Sequence, residues 1–469
     1  MRMSNLYCSL LRSAFAITFA LLGPKAMSAD SLALTNQTNV VQFSWPSKGP
    51  GYSYALQIRS NLISDIWLPV EAKHPWPVAS NLWNTSITGS AGFFRLLTVT
   101  AATRGNIEAA SIVYELSQTD LNGIFDDIGL GITAQSGVRF IKLNYETLDA
   151  DGGKTIASAI MCVPTSSNIN LPLVTYLHGT IARKADAPSR MNLNSELIIG
   201  AIFSSAGYAT LLPDYIGLGD SPGFHPYHHS ISEATASVDA MRACRQYSQT
   251  NAITYSGKLF LCGYSQGGHA TLALLKAIEQ FHTDEFAVTA AAPMAGAYSL
   301  SGVMIDDFLS RRAPPNPFYY PYILNSYCKV YGIAASFSDI LRPPYDATLP
   351  ALLDGEHSDA AINQAMPAVP LDMLKPEWIA DLTTNSHHVF RQALKHNDLI
   401  GWRPVAPIRL YHCAGDQDVP IENTIQAYDS FVAAGATDIQ KIDPSPTSDH
   451  EGGFFPSIIG AKSWFDSLR

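Results

Sequence analysis

The sequence predicts an α/β fold with a doubly wound, mostly parallel sheet, an inserted helical cap and a small N-terminal β-module. Three observations lead to this prediction. From Val138 onward, short apolar strands alternate with helical segments, which is typical of parallel sheets covered by helices on both faces. This alternation is interrupted between about residues 300 and 403, and the residues before about 100 have a different composition.

The composition indicates a large folded protein. The chain has 469 residues, of which 47% are apolar and 15% are charged, so much of it can be buried in a core. This length suits two domains, or one large domain with insertions. The formal net charge of −10 argues against a nucleic-acid partner, because phosphate binding requires a local excess of Lys and Arg.

Residues 1–29 have the features of an export signal. Arg2 and Arg12 supply positive charge, residues 13–23 are apolar, and small residues before Asp30 form a cleavage site. The apolar stretch is too short for a permanent membrane span, and no second stretch is long enough for one. An uncleaved membrane anchor is the alternative interpretation. We therefore expect a secreted or periplasmic protein with no permanent membrane span.

Residues 30–100 are predicted to form a small β-sandwich-like module. They are rich in Trp, Ser, Asn and Thr and contain short alternating runs such as residues 54–59, separated by turn-forming stretches at 46–51 and 75–77. The pattern suggests a spacer, or a module that binds a surface or a polymer. We assign it no chemistry.

Residues 101–469 are expected to form the main domain, with the cap inserted at about 300–403. Residues 101–135 have a helical pattern, and 138–147 and 155–163 form two strands joined by an Asp- and Gly-rich turn. Further strands are predicted at 171–177, 209–212, 258–262, 286–291 and 408–413, and helices at 193–205, 231–247, 267–281 and 456–468. The cap is expected to cover the C-terminal edge of the sheet.

Residues 263–267 read Gly-Tyr-Ser-Gln-Gly and fit the G-x-S-x-G pattern of a nucleophile elbow. An apolar strand precedes them and a helix follows, so Ser265 is expected in a tight turn with its hydroxyl exposed. Glycines at the flanking positions avoid the collisions that Cβ atoms would cause there. Ser265 is therefore the predicted nucleophile. The alternative is a serine that only caps the helix.

A serine nucleophile needs a base and an orienting acid, which follow it in the order acid, then His. Asp416 and Asp418 both lie in a loop after the strand predicted at 408–413 and are the two candidate acids. His450 lies just before the last predicted helix, where the base is expected in this arrangement.

The oxyanion hole is expected to combine two backbone N–H groups, one from Gln266 and one from the loop after strand 171–177. In that loop we predict that Thr180 donates. The substrate pocket is predicted to include four residues, His178, Gly179, Tyr215 and Tyr264. Segments 213–220 and 225–229 are expected to shape its wall.

A metal site is the alternative interpretation of residues 225–229, which include His225, His228 and His229. Neighbouring histidines without a carboxylate at helical spacing do not favour it. We expect neither a metal nor a cofactor.

Residues from about 105 to the end resemble secreted esterases and lipases of the α/β-hydrolase superfamily, especially its secretory-lipase-like members. The matching stretches are 145–152, 177–180, 214–219, 225–227, 263–269 and 416–420. The resemblance implies the α/β-hydrolase fold, ester hydrolysis through an acyl-enzyme and a mobile cap. It favours Asp416 over Asp418, because Asp416 begins a D-x-x-V-P loop. His178-Gly179 match the start of the family's HG motif, although Thr-Ile follows instead of Gly-Gly.

Two other functions stay open at this point. A serine peptidase or amidase uses the same fold and the same residues, since specificity lies in the pocket and cap. A non-catalytic polymer-binding or adhesion protein is the second, suggested by the aromatic N-terminal module. The expected substrate is a small-molecule ester, or one linked to a lipid or polymer.

Overall fold

The computed structural model of the protein describes residues 7–9, 18–20, 33–37, 40–46, 48–49, 51–59, 66–69, 77, 82–86, 93–167, 169–192 and 195–469. The N-terminal part contains short antiparallel strands. Their bounds are β1 Tyr7–Ser9, β2 Thr18–Ala20, β3 Ala33–Gln37, β4 Val40–Ser44, β5 Tyr52–Arg59, β6 Leu68–Pro69, β7 Leu82–Ser86 and β8 Phe93–Thr100. The export signal predicted from sequence lies outside the described residues except for β1 and β2.

These strands form two small sheets, with the orders β2-β1-β8-β5-β6 and β3-β4-β7. Aromatic side chains join them. Phe43 of β4 and Phe94 of β8 are fully buried, with ring centroids 4.6 Å apart. Trp45 and Tyr54 are also buried and in contact. The apolar alternation in the sequence therefore supplies the interior of this region.

A nine-stranded sheet forms the centre of the molecule. Its strands are β9 Ile107–Leu116, β10 Val138–Leu148, β11 Lys154–Pro164, β12 Leu171–Leu177, β13 Ala209–Pro213, β14 Tyr255–Tyr264, β15 Ala290–Met294, β16 Ile408–Tyr411 and β17 Ile439–Ile442. The order is β17-β16-β15-β14-β12-β13-β11-β10-β9. All pairs from β13 to β17 are parallel, whereas β11 is antiparallel to both of its neighbours.

Helices cover both faces of this sheet and fill the interval between β15 and β16. Their bounds are α1 Gln118–Asp127, α2 Ser195–Ser204, α3 Ser230–Thr250, α4 Gln266–Phe281, α5 Ile305–Leu309, α6 Tyr319–Tyr331, α7 Phe337–Ile340, α8 Tyr345–Leu352, α9 Asp359–Ala365, α10 Pro376–Thr384, α11 Val389–His396, α12 Glu422–Ala433 and α13 Phe454–Asp466. Helices α3, α4 and α12 share one apolar cluster with the sheet, and α1, α2 and α13 share the other. The doubly wound sheet predicted from sequence is confirmed.

The helices from α5 to α11 share a third apolar cluster, which includes Phe308, Phe318, Tyr327 and Phe390. We call α5–α11, with the connecting residues between them, the cap. Each of the three clusters excludes water from one layer of the molecule.

Two secondary-structure predictions were wrong. Residues 107–116 form the edge strand β9 instead of part of a helix. Most of β9 is exposed, so its side chains do not show the alternation that identifies a half-buried strand. The strand predicted at 286–291 begins only at Ala290, because the backbone of Phe286 still turns back to His282.

Candidate active site

Ser265 lies between β14 and α4 in a strained backbone conformation. Its φ is +58° and its ψ −120°, which is uncommon for a residue with a side chain and is typical of a functional turn. The turn depends on Gly267, because a Cβ atom there would lie 1.9 Å from the carbonyl oxygen of Leu177. The hydroxyl of Ser265 thus sits at the N-terminus of a 16-residue helix, where negative charge is stabilised.

Ser265, His450 and Asp416 form one hydrogen-bonded chain. The Oγ of Ser265 lies 2.8 Å from Nε2 of His450, and Nδ1 of His450 lies 2.6 Å from Oδ2 of Asp416. The structure therefore brings together the three side chains that sequence reasoning selected, from positions 265, 416 and 450. Such a chain allows His450 to remove the proton of Ser265 while Asp416 fixes the ring.

The acid of this chain is held by backbone groups of its own loop. Oδ1 of Asp416 accepts hydrogen bonds from the N–H groups of Asp418 at 3.0 Å and Val419 at 2.9 Å. His412 lies 3.1 Å from its other oxygen. Asp418 faces elsewhere and accepts from the backbone N–H and side-chain amide of Asn316. The carboxylate that faces His450 is therefore that of Asp416.

The pKa values of this pair are shifted in opposite directions. Burial alone raises the pKa of Asp416, but hydrogen bonds from His412 and His450 hold it well below its usual value. Burial likewise lowers the pKa of His450, but the Asp416 carboxylate raises it more, so that the net shift is upward. A carboxylate that stays ionised next to the imidazole favours a protonated His450 during proton transfer.

The backbone N–H groups of Gln266 and Thr180 were predicted to form the oxyanion hole. They make no hydrogen bond to any residue in the described part of the chain. Gly179 lies close to the nucleophile, since a Cβ atom on it would be 3.8 Å from the Cβ of Ser265. The side chain of Thr180 is held by Tyr227, with 2.9 Å between their oxygens.

The four residues predicted to line the pocket support the site from behind. None of them is among the residues that line the cavity beside Ser265. His178 is fully buried, its two ring nitrogens lie against the carbonyl oxygens of Gly179 and Asp214, and Tyr215 packs on its ring. Tyr264 donates to the carbonyl oxygen of His450 at 2.6 Å. They hold the Ser–His–Asp chain and the Gly179 loop in place.

A cavity of about 60 Å³ adjoins Ser265. Tyr227 and His228, from the segment expected to shape the wall, contribute to it. Most other contributors are apolar cap residues that the sequence did not identify, among them Phe308, Ile323, Phe390 and Leu394, and Leu300 contributes from just before the cap. The aromatic and aliphatic run from Phe318 to Leu324 was the only local signal, and such a run more often forms ordinary core.

Sequence reasoning also missed a buried polar group behind Gln266. Glu233, in the first turn of α3, is 1% exposed and receives hydrogen bonds from Gln266 and His269. The sequence does not indicate that this acid is buried, because an acid near the start of a helix is usually exposed and interacts favourably with the helix dipole. His228, Glu233 and His269 each place a potential ligand atom within 4.8 Å of the others.

Comparison with known proteins finds similarity to esterases and lipases. The secretory lipase family model matches residues 185–292. The solved rice cell wall degrading esterase LipA from Xanthomonas oryzae is 25% identical, with a TM-score of 0.70 over 78% of this chain and 100% of that one. A putative hydrolase from Legionella pneumophila is 28% identical, with a TM-score of 0.71 over 77% and 98%. The comparison with curated protein sequences gives no match.

The chain belongs to the α/β-hydrolase superfamily. Its similarities lie with the secreted esterase and secretory-lipase group. Lipase A from Candida antarctica, 18% identical with a TM-score of 0.58 over 78% of this chain and 83% of that one, shares the fold. Together the matches support an ester hydrolase. Within the part of this α/β hydrolase that the structure describes, we find no helix with the length and apolarity of a membrane span.

Proposed function

We propose that this α/β hydrolase cleaves carboxylic esters through an acyl-enzyme on Ser265. The observation that carries the proposal is the unbroken chain of short hydrogen bonds from Ser265 through His450 to Asp416. A serine hydroxyl is a poor nucleophile unless a base of this kind adjoins it. The esterase and lipase matches support the ester as the bond that is cleaved.

In the proposed reaction, Nε2 of His450 takes the proton of Ser265 as Oγ attacks the ester carbonyl. Asp416 keeps Nδ1–H oriented and stabilises the imidazolium. The N–H groups of Gln266 and Thr180 bind the oxygen as it becomes negative. His450 then protonates the departing alcohol, and a water activated by the same ring releases the acid and restores Ser265.

The cavity supports an apolar acyl group as part of the substrate. Side chains such as Leu300, Phe308 and Phe390 line it, and an apolar chain gains free energy by leaving water for such a surface. Asp418 is the charged residue on the wall, and its carboxylate is already bonded to Asn316. Its two hydrogen bonds to Asn316 fix the position of the carboxylate on the wall.

The first test is Ser265→Ala, assayed with short-chain and long-chain acyl esters and with aminoacyl amides. We expect ester hydrolysis to fall by about 10⁴-fold or more, because the nucleophile is lost. A fluorophosphonate probe should label the wild type on the tryptic peptide that contains Ser265 and should not label the variant. Ester hydrolysis retained by the variant would refute the mechanism, and faster cleavage of amides by the wild type would make the protein an amidase.

We also propose that residues 1–29 direct export and that 30–100 act as a spacer or as a module that binds a surface or polymer. The match to a secretory family supports export. Removal of residues 1–29 would take away β1 and β2, which pair with each other, and with them the pairing of β1 with β8. N-terminal sequencing of protein recovered from the medium or periplasm tests this, with Asp30 expected as the first residue.

A further inference from the structure

The side chain of Gln266 is fixed from two sides by buried groups. Its Nε2 donates to Oε1 of Glu233 at 2.9 Å and also lies 2.8 Å from Nε2 of His225. His225 can accept this bond, because its Nδ1 donates to the carbonyl oxygen of Ile216 at 2.9 Å and burial lowers its pKa. The side-chain amide of Gln266 is therefore held in one orientation.

Glu233 is held as firmly as the glutamine it binds. Its second oxygen lies 2.7 Å from Nδ1 of His269, and Nε2 of His269 lies 3.0 Å from the carbonyl oxygen of Asn397. Both Glu233 and His269 are almost completely buried. The chain of contacts thus runs from the end of α11 in the cap, through α4 and α3, to the residue that follows Ser265.

A buried polar cluster of this kind is costly, and replacement of the whole cluster by well-packed apolar residues often stabilises a fold, whereas removal of a single member destabilises it. At this position the cost has a structural reason, because the neighbouring residue Ser265 has a positive φ and so lies in a strained turn. Strained turns persist only where the surroundings hold them. The peptide that joins Ser265 to Gln266 carries the N–H group proposed to bind the oxyanion, and an error of about 1 Å in such a group can reduce a rate about 100-fold.

We propose that Glu233, together with His225 and His269, is a positioning residue that clamps Gln266 and keeps its backbone N–H directed at the oxyanion. This inference rests on the proposed serine hydrolase function. It assigns a role to a buried cluster that contacts no reacting atom.

Glu233 and His269 of this cluster, together with His228, have the composition of a metal site, but their geometry favours hydrogen bonds. Glu233 and His269 lie 2.7 Å apart, whereas two ligands on one zinc ion at about 2.0–2.1 Å in a tetrahedron lie about 3.3 Å apart. Gln266 occupies the other oxygen of Glu233. We therefore assign the cluster to positioning and include a metal as an outcome of the test.

The test compares Glu233→Ala and Glu233→Gln in the full chain. We expect E233A to lower kcat about 10-fold to 100-fold with KM within about twofold, because the interaction lost is made in the transition state. E233Q should keep a third or more of the wild-type kcat, since its amide can still accept from Gln266 and donate to His269. The Ki of a trifluoromethyl ketone, which forms an oxyanion on Ser265, should rise in E233A by the factor by which kcat/KM falls.

Gln266→Met and Asp239→Ala are the companion variants. Q266M keeps the backbone N–H but removes the clamped amide, so it should reproduce the loss in E233A, and the double variant should lose no more. Asp239 is also a fully buried acid of α3, bonded to Thr147 and Arg104. D239A should lower the melting temperature as E233A does while kcat stays within twofold.

Each outcome separates this inference from the proposed function. If wild type cleaves esters, S265A does not, and E233A and Q266M match wild type in kcat and in ketone affinity, the clamp is refuted while the hydrolase stands. If kcat fell as much in D239A as in E233A, the fall would follow from lower stability, and the clamp would again be refuted. Stoichiometric metal in the wild type, with activity lost on chelation, would replace the clamp by a metal site.

Discussion

The protonation of His450 controls whether Ser265 can react in the proposed mechanism. The base must be neutral to accept a proton, and Asp416 raises the pKa of His450 despite its burial. We therefore expect kcat/KM to fall on the acid side with a midpoint above the ordinary histidine value of about 6.5. In Asp416→Asn, the midpoint should move to lower pH because burial then acts without the carboxylate, and kcat should drop about 10⁴-fold.

The pH profiles of wild type, D416N and Asp418→Asn measure this effect. D418N is the matched control, because Asp418 lies in the same loop but bonds to Asn316 instead of His450. It should lower the midpoint less than D416N does, because the charge of Asp418 raises the pKa of His450 less than the hydrogen bond and charge of Asp416 do, and it should lose less than about tenfold in kcat. A midpoint that shifts in D418N and stays fixed in D416N would exchange the two acids and contradict the assignment.

At the scale of single residues, the sequence could predict those whose place follows from the order of the motifs along the chain. Ser265, Asp416 and His450 each follow a strand or precede a helix that can be recognised from apolar patterning. The supporting residues could not be found in this way. His178 and Tyr215 carry polar groups that suggest contact with a substrate, and only the fold reveals that backbone carbonyls occupy them. Glu233 was missed because an acid in a first helical turn is expected to face solvent and not to support the site.

At the scale of elements, the turn between β14 and α4 depends on close approach to β12. Gly267→Ala would bring a methyl group onto the carbonyl of Leu177, and neither partner is a flexible side chain. We expect a loss of about 3 kcal/mol or more in the free energy of unfolding. Activity should fall even below the unfolding temperature, because the turn that carries Ser265 must shift.

Gly123→Ala is the control for this change. Gly123 lies inside α1, is exposed, and would meet no atom within 4 Å on gaining a Cβ. That substitution should stabilise the protein by up to about 1 kcal/mol, because alanine favours a helix. Urea unfolding of both variants provides the measurement. Equal stability of G267A and wild type would show that the turn can relax.

Elements buried on both faces were predictable, whereas the edge of the sheet was not. Strand β12 is buried along its whole length and reads as a continuous apolar run. Among the strands that the structure describes, β9 pairs with β10 alone, and its residues Ile112, Val113 and Tyr114 are exposed. Burial therefore imposes no alternation of apolar and polar residues on β9, and its pairing with β10 decides its conformation.

At the scale of the whole molecule, the N-terminal part and the cap share one apolar cluster. Ile66 is 2% exposed and belongs to the cluster of cap residues that includes Tyr322 and Phe390, with Leu68 packed against it. The sequence could not predict this contact, because residues 60–100 and the cap are separated by the entire first half of the sheet domain and no local pattern links them. The segment that was expected to be a spacer thus also packs into the apolar cluster of the cap.

Ile66→Asp tests whether this contact stabilises the cap. Loss of the apolar contact and burial of a charge should lower the free energy of unfolding by at least about 2 kcal/mol. Amide hydrogen exchange in Tyr319–Tyr331 should become faster than in the wild type, because α6 belongs to the same cluster and local stability follows packing. Tyr52→Asp is the control, since Tyr52 is 43% exposed on β5 and should leave exchange in α6 unchanged. Unchanged exchange in both variants would mean that the cap is stable without the N-terminal part, and its packing on Ile66 would then have no energetic consequence for the cavity beside Ser265.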